Sequence, residues 1–578
     1  MSIERQFELG DEVVRGVRCR VFRHAPRSMP ELFGKVSWDS DAAFLVYGSR
    51  RVTYRDAWKQ AGILASVLEG RYRVGVGTRV GLAMRNMPEW VMSFLAIARL
   101  GAVPVVLNSR SAGEELAHAR DTMGVSLIIV DGRCGRELIS YPSSTPTLVA
   151  ADAAAEGDDR VRDAQSVAAT VTAGAASLEA LVDETGTAVN PPAPVVSPED
   201  PAMILFTSGT TGRAKGAVLS HFGTCSSVWT NHYAGYLIAE RMAARFGITV
   251  EQLLAHAPQP ALLLMFPLFH TSGVHTGLLA NLMRGGKIVL MRRWDVPTAL
   301  TLIEREKITQ FPCVPTMLWD LVRSPELSRF DMSSLTSVSA GGQALQSGLL
   351  AEITRAFPRA IPGTGFGMTE TTGAVAMCVG EDFLAHPGTA GRILPTTEVR
   401  IRRDDGQVAG NGETGEICLR GVSNMLEYWG EPEETARAFD EDGFMHSGDI
   451  GYIDAEGYLY IVDRKKDMVI SAGENIYCAE VERVLLSHPD LIEAAAFGIP
   501  DPRLGERLLA IVVPRPGAVA SVTPQAIREH VAAHLAAYKV PADIQIEAAG
   551  LPRNDLDKVD KNRLRDRYRT ASTKAGAA

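Results

Sequence analysis

Along most of the chain, apolar residues come in short blocks separated by amphipathic stretches. The blocks at 43–47, 79–84 (RVGLAM), 104–108 (PVVLN) and 125–131 (VSLIIVD) read as buried strands. Helical patterns fill the gaps. One runs over 54–68 with Thr53 as N-cap, one starts at Asn86 and Pro88 and stops at Gly101, and one covers 111–123. Strands that alternate with helices imply a parallel sheet and an α/β fold. The rhythm continues with an apolar strand at 202–206, long segments at 225–243 and 249–256, a strand at 287–291, a helix at 296–306 and a strand at 309–315. Strands entering glycine-rich turns follow at 334–345 and 363–373. From about Gly391 the units shorten to strands and turns (VRIRRDDGQ, GEICLRG, GYIDAEGYLYIVDR), the pattern of an antiparallel, barrel-like subdomain. A last unit opens near Asp467, with a helix at 478–487, strands at 493–498 and 508–514, and a helix at 524–537. The final eight residues are expected to be disordered. Residues 151–200, rich in Ala, Asp, Thr and Pro, read as a surface excursion.

A chain of 578 residues exceeds what one core organises. Its 46% hydrophobic and 22% charged content is that of an ordinary globular protein. The net charge of −9 speaks against nucleic acid as a partner. The seven cysteines are scattered, with no CxxC or Cys/His ligand spacing, which disfavours structural zinc and suits a reducing, cytoplasmic setting. The apolar stretch ALLLMFPLF is too short for an integral membrane segment and contains Pro267, although peripheral membrane contact stays open.

The stretch most suggestive of chemistry is 207–216, TSGTTGRAKG, directly after the 202–206 strand. Glycine lets backbone N–H groups approach an anion, and the hydroxyls and Lys215 add donors for phosphate oxygens. The following GAVLSHFG is read as opening a helix, which would make a strand–turn–helix phosphate cradle. The spacing is not that of a Walker A loop, because Gly216 follows Lys215.

Further loops occur in a fixed order: FPLFHTSG at 266, GTGFGMTETT at 363, GETGEI at 412, HSGDIGYIDAEGYLYIVDRKKDMVISAGENIY at 446 and LPRNDLDKV at 551. Together they resemble the adenylate-forming superfamily of acyl-CoA synthetases, luciferases and peptide-synthetase adenylation domains, most closely the bacterial fatty-acid or aryl-acid CoA ligases. The resemblance runs from about residue 50 to residue 570. It implies an α/β fold with a large N-terminal domain of α/β-layered subdomains, residues 1–465 with the barrel-like part at 391–465. A small mobile α+β C-terminal domain, 466–578, would follow a hinge near Lys466. It also implies use of ATP, Mg2+ and coenzyme A on a small-molecule carboxylic acid, expected to be hydrophobic (medium- or long-chain fatty, alicyclic or steroid side-chain, or aryl), and a homodimer would fit the family.

Residue by residue, the resemblance assigns Thr207, Ser208, Gly209, Thr210, Thr211 and Lys215 to the β- and γ-phosphates and the leaving pyrophosphate. Gly365, Phe366 and Gly367 would receive the adenine, with Phe366 stacking on it. Thr369 would meet the α-phosphate, and Glu370 would be the metal-linked acid. Asp449 would accept the ribose hydroxyls, Arg464 would add a second ribose or phosphate contact, and Gly473 would let pantetheine pass. Lys558 would be the adenylation lysine, with Lys561 as the off-motif alternative. Asp557 stands where the family usually carries glycine before the lysine. His270 is expected to gate the pocket or position the carboxylate, and it joins Lys558, Glu370 and Thr210 in the catalytic set. His275, Thr276, Val314, Gly341, Gly342 and Gln343 are expected to line the acid pocket. The competing readings are an adenylating enzyme with a non-CoA acceptor and a non-catalytic nucleotide- or acyl-binding homologue.

Overall fold

The computed structural model describes residues 4–151, 176–185, 193–207, 214–341, 347–471, 474–501, 503–519, 521–554 and 558–575. The chain forms a large and a small compact unit, both of mixed α/β structure. One comprises Met1–Val399 with Leu419–Met445, the other Arg400–Cys418 with His446–Ala578.

The first unit holds two largely parallel sheets. In one, Arg79–Ala83 lies between Val103–Val106 and Leu127–Asp131, all parallel, and Thr147–Ala150 extends it. Leu127 to Val130 are each fully buried, as expected of a strand covered on both faces. On the other side Pro201–Thr207 runs parallel to Val103–Val106. Lys215–Ser220 then pairs antiparallel with Pro201–Thr207, and Glu427–Tyr428 pairs with Lys215–Ser220.

That pairing corrects one expectation. The residues after Lys215 form a strand, so the glycine-rich stretch connects two antiparallel strands and no helix N-terminus follows it directly. Ala217, Val218 and Leu219 are almost fully buried, and pairing on both sides of the strand satisfies their backbone groups. The helix starts only at His221, where the Ser220 side chain caps the Gly223 N–H, and it runs to Phe246.

In the other sheet Ala43–Tyr47, Lys287–Leu290, Ala261–Leu264, Gln310–Cys313, Ser337–Gly341 and Ile361–Met368 follow one another in parallel. Gly373–Val379 closes back antiparallel on Ile361–Met368. Loops at the carboxyl ends of such strands form the natural crevice of an α/β sheet, and the motifs at 266 and 363 lie there. Two elements were legible in detail: the strand Ala43–Tyr47, and the helix Tyr54–Tyr72 capped by Thr53. Within the 151–200 excursion the structure describes a short strand, Ala176–Ser177, and a helix, Leu178–Thr185.

The second unit contains the antiparallel pairing of Asp449–Ile453 with Leu459–Arg464. It also contains a sheet in which Leu491–Asp501 and Gly505–Pro514 pair antiparallel, with Asp543–Ile546 parallel to the latter. Helices Cys478–Leu486 and Pro524–His534 cover one face of this sheet around Val481, Ile527 and Val531. Helix Lys561–Ala575 covers the other face through Leu564, and it runs into the tail expected to be disordered. No helix among the described residues is long and apolar enough to cross a membrane.

Candidate active site

In the first unit, strand pairing sets Thr207 opposite Lys215. Ser208, Gly209, Thr210 and Thr211 lie outside the described residues. Lys215 forms an ion pair with Glu434, and its ammonium stands 5.0 Å from the centre of the Tyr428 ring. The Tyr428 hydroxyl donates to Glu370 Oε1 at 2.8 Å. One aromatic side chain thus touches both the loop lysine and the acid expected to serve the metal. Burial and the Glu370 carboxylate push the Tyr428 phenol far above its usual pKa, so it stays protonated and remains the donor. The hydrogen bond from Lys215 holds the Glu434 carboxyl below its usual value.

Neither Tyr428 nor Glu434 was singled out from sequence. Each lies more than 200 residues from Lys215. Only the pairing of Ala217 with Tyr428 brings them near. An aromatic residue followed within six positions by three acids, EYWGEPEET, is the only trace in the sequence. We expect Tyr428→Phe to raise the KM for ATP about tenfold, because it removes one hydrogen bond to a buried carboxylate. Initial rates across an ATP titration check this.

Glu370 and Thr369 sit in a tight turn, Thr369–Thr371, at the end of the Ile361–Met368 strand, and both are buried. The Met425 N–H binds the Glu370 carbonyl at 2.7 Å, and the Thr372 hydroxyl donates to the Ser423 carbonyl at 2.5 Å. Thr372 adopts a left-handed conformation, φ 58°, which turns the chain back toward Gly373. Gly365, Phe366 and Gly367 precede this turn on the strand, with a register shift between Phe366 and Gly367. Gly341 pairs with Gly365 at the carboxyl end of the neighbouring strand. Gly342 and Gln343 lie outside the described residues.

His270 is half-buried, and its Nδ1 lies 3.2 Å from the Ser272 hydroxyl. The next turns form a wide π-type helix, Ser272–Leu279. Within it His275 is fully buried, bonded to the Thr271 hydroxyl at 3.0 Å, and burial lowers its pKa to about 3, so it is a neutral packed ring. Thr276 keeps accessible surface and donates to Asn231 Oδ1 at 3.2 Å. Val314 caps the helix Pro315–Val322 with 9% exposure.

In the second unit the strand register places Asp449 opposite Arg464, and their charged groups are 3.4 Å apart. Burial raises the Asp449 pKa while Arg464 and Lys558 pull it down, and Lys466 acts on it more weakly. Burial lowers the Lys558 pKa to about 8, and repulsion from Arg464 adds to this against attraction from Asp449. Asp449, Arg464, Lys466 and Lys558 therefore form one electrostatic cluster. The Lys558 N–H binds Asn554 Oδ1 at 3.1 Å and its carbonyl receives the Asn554 N–H at 2.8 Å, which folds the segment back on itself. Asp557 and Gly473 lie outside the described residues.

Lys561 is occupied differently. Its ammonium pairs with Glu482 at 2.7 Å beside Asp463 and Asp467, and these acids outweigh burial to hold its pKa above the usual lysine value. It is a structural lysine, tying the last helix to Cys478–Leu486. The pKa near 8 at Lys558 makes its charge pH-sensitive. The ammonium is present below about pH 8 and is lost as pH rises through it. Adenylation kcat/KM is expected to fall over that interval, whereas a Lys558→Arg enzyme, charged throughout, shows no such inflection. A pH profile of ATP–pyrophosphate exchange checks this.

Known proteins resemble the chain over most of its length. A family model described as AMP-binding enzyme matches residues 35–429, and one described as AMP-binding enzyme C-terminal domain matches 480–558. A long-chain-fatty-acid–CoA ligase of Mycobacterium tuberculosis is 34% identical over 522 residues, covering 90% of this chain and 93% of the relative. An indoleacetate–CoA ligase of Aromatoleum aromaticum is 33% identical over 87% of this chain and 91% of its own length. Among solved structures, ATP-bound MatB from Rhodopseudomonas palustris superposes with a TM-score of 0.75 at 27% identity, covering 93% of this chain and 98% of that one.

Proposed function

The chain belongs to the AMP-binding enzymes, and from that membership we propose that it is an AMP-forming acyl-CoA synthetase. A carboxylic acid and ATP give an acyl-adenylate and pyrophosphate, and the CoA thiol then displaces AMP to give acyl-CoA. The relatives' acids, long-chain fatty acids and indoleacetate, favour a hydrophobic substrate. The observation that carries this reading is Lys558. Its ammonium stands beside Asp449 and Arg464, while the neighbouring lysine is locked in a structural pair.

The residues divide the work as follows. A carboxylate oxygen attacks the α-phosphorus, and the bond to pyrophosphate breaks. Charge gathers on both groups, and a preplaced cation stabilises it without reorganisation. Lys558 supplies that cation. Asp449 accepts the ribose hydroxyls with its two oxygens, and Arg464 adds the second contact. Phe366 stacks on adenine, Thr369 meets the α-phosphate, and Lys215 with Thr207 and the loop between them holds the leaving pyrophosphate. In the second step the thiol attacks the acyl carbon and AMP departs with the bonding pair. His270 gates the acid pocket, Gly473 passes the pantetheine arm, and Lys466 is the hinge residue.

Glu370 fits Mg2+. It is a single buried carboxylate, held by a neutral tyrosine, and Mg2+ takes one or two protein carboxylates and fills its shell with phosphate and water oxygens. When bound there, Mg2+ supplies charge neutralisation for the β- and γ-phosphates.

The test is mass spectrometry of products from purified protein given ATP, Mg2+, CoA and a panel of acids. Acyl-CoA with stoichiometric AMP is expected. Acyl-adenylate without thioester would move the acceptor away from CoA, and neither product across the panel would overturn the reading.

A further inference from the structure

The wall that carries Val314 and Gly341 continues downward along two central strands. On Gln310–Cys313, Phe311 and Cys313 are fully buried while Gln310 and Pro312 keep accessible surface. On Ser337–Gly341, Val338 and Ala340 are buried at 1% and 3% while Ser337, Ser339 and Gly341 keep surface. Side chains alternate across a strand, so one whole face of these strands borders open space. Both strands are hydrogen-bonded on each side, so this accessible surface belongs to the face of the sheet and not to a sheet edge. From Val314, at the reactive end, to Gln310, at the far end, four residues span roughly 13 Å.

At the far end stands Arg284. Its Nη2 reaches Gln310 Oε1 at 3.5 Å and its Nε donates to the Ala280 carbonyl at 3.2 Å. Among the described residues no carboxylate pairs with it, and burial alone, with no opposing charge, draws its pKa down to about 10. The guanidinium therefore keeps its charge, half-buried, with only neutral acceptors among the described residues. Its placement is built. It lies eight residues after Thr276 along one continuous helical path, and both contact the His221–Phe246 helix. Thr276 meets Asn231 there, and Arg284 lies against Gly235, where a Cβ would stand 2.5 Å from its Nη1. The absent side chain makes room for the guanidinium. One turn earlier on the same helix, His232 Nδ1 is buried without a hydrogen-bond partner among the described residues.

A half-buried cation that faces only neutral acceptors has N–H groups left to offer a ligand. We propose that Arg284, with Gln310 beside it, forms the far end of the acid pocket and recognises an oxygen acceptor there, so that the substrate is an acid oxygenated at the end remote from its reacting carboxylate. This rests on the reading of the protein as an acid–CoA ligase and refines its substrate class. A plain alkyl terminus would desolvate the guanidinium and return nothing. A ring ketone or a second carboxylate would accept its free N–H groups, and the planar fork suits either.

The experiment compares dodecanoate, its keto analogue carrying the carbonyl one carbon from the far end, and dodecanedioate, in wild type and in Arg284→Met and Arg284→Lys. AMP release and thioester yield are measured. In wild type at least one oxygenated acid should exceed dodecanoate in kcat/KM by about 10- to 100-fold, the range of a hydrogen bond to a charged group. Preference for the diacid would identify a carboxylate as the recognised group, and preference for the keto acid a carbonyl. Arg284→Met should bring the ratio close to one, and Arg284→Lys should retain part of it for the diacid. A wild-type ratio of one or below overturns the inference, as does a ratio that survives Arg284→Met. The wild-type ratio decides the matter even if the variants fold poorly. AMP released with none of the three acids would instead sink the ligase reading, and this inference with it.

Discussion

Lys558→Ala is expected to lower acyl-adenylate formation by about 10²–10³-fold, the usual loss when one preorganised donor to developing charge is removed. ATP–pyrophosphate exchange reads that step alone. Thioester formation from supplied acyl-adenylate and CoA should change far less, because the α-phosphate is already esterified when the thiol attacks. ATP binding should persist, since the Asp449–Arg464 pair and the Lys215 cluster do not depend on Lys558. The comparison with Lys561 sharpens the test. Lys561→Met leaves Glu482, itself largely buried, without its ion-pair partner and should destabilise the second unit by about 2–3 kcal/mol. Any activity it loses should follow unfolded protein in a thermal scan. If Lys561→Met abolished exchange in fully folded protein while Lys558→Ala did not, the assignment of the two lysines would be reversed.

Gly367→Ala should reduce both activity and stability. A Cβ there would fall on the carbonyl of Gly373 and stand 2.7 Å from the Ala374 Cα. Both are backbone atoms of the adjacent strand, which cannot rotate aside as a flexible side chain can. The two strands must part at the register shift that leads into Thr369 and Glu370. Overpacking of this kind costs about 1–3 kcal/mol, and displacing Glu370 by about 1 Å can cost up to roughly 10²-fold in rate. Gly365→Ala is the control two residues away. The nearest atom to its Cβ would be the Ala376 carbonyl oxygen at 3.3 Å, so the effect should be several times smaller. Thermal unfolding together with ATP-dependent initial rates separates the two variants. Equal and small effects would mean that the strand pair yields easily and does not hold the Glu370 turn.

Local pattern and tertiary structure contributed differently. Strand Ala43–Tyr47, the Thr53 cap and the helix beginning at Pro88 were legible because apolar period, cap chemistry and proline position act over a few residues. The motif order was legible as well, and it led to the family, to Asp449 with Arg464 and to Lys558. The strand at Lys215–Ser220 was not, because Gly, Ala, Val, Leu and Ser suit either helix or strand, and pairing on both sides decided between them. No local signal marks Lys561 as structural, since its partner Glu482 comes from another helix. The grip of Tyr428 and Glu434 on Lys215, and the placing of the Arg284 guanidinium against Gly235 and Gln310, join residues 26 to 219 positions apart. The sequence by itself determined which chemical groups are present and the local elements that carry them. The tertiary structure decided which of those groups meet and which stay unpaired, because burial and charge pairing depend on neighbours that only long-range packing supplies.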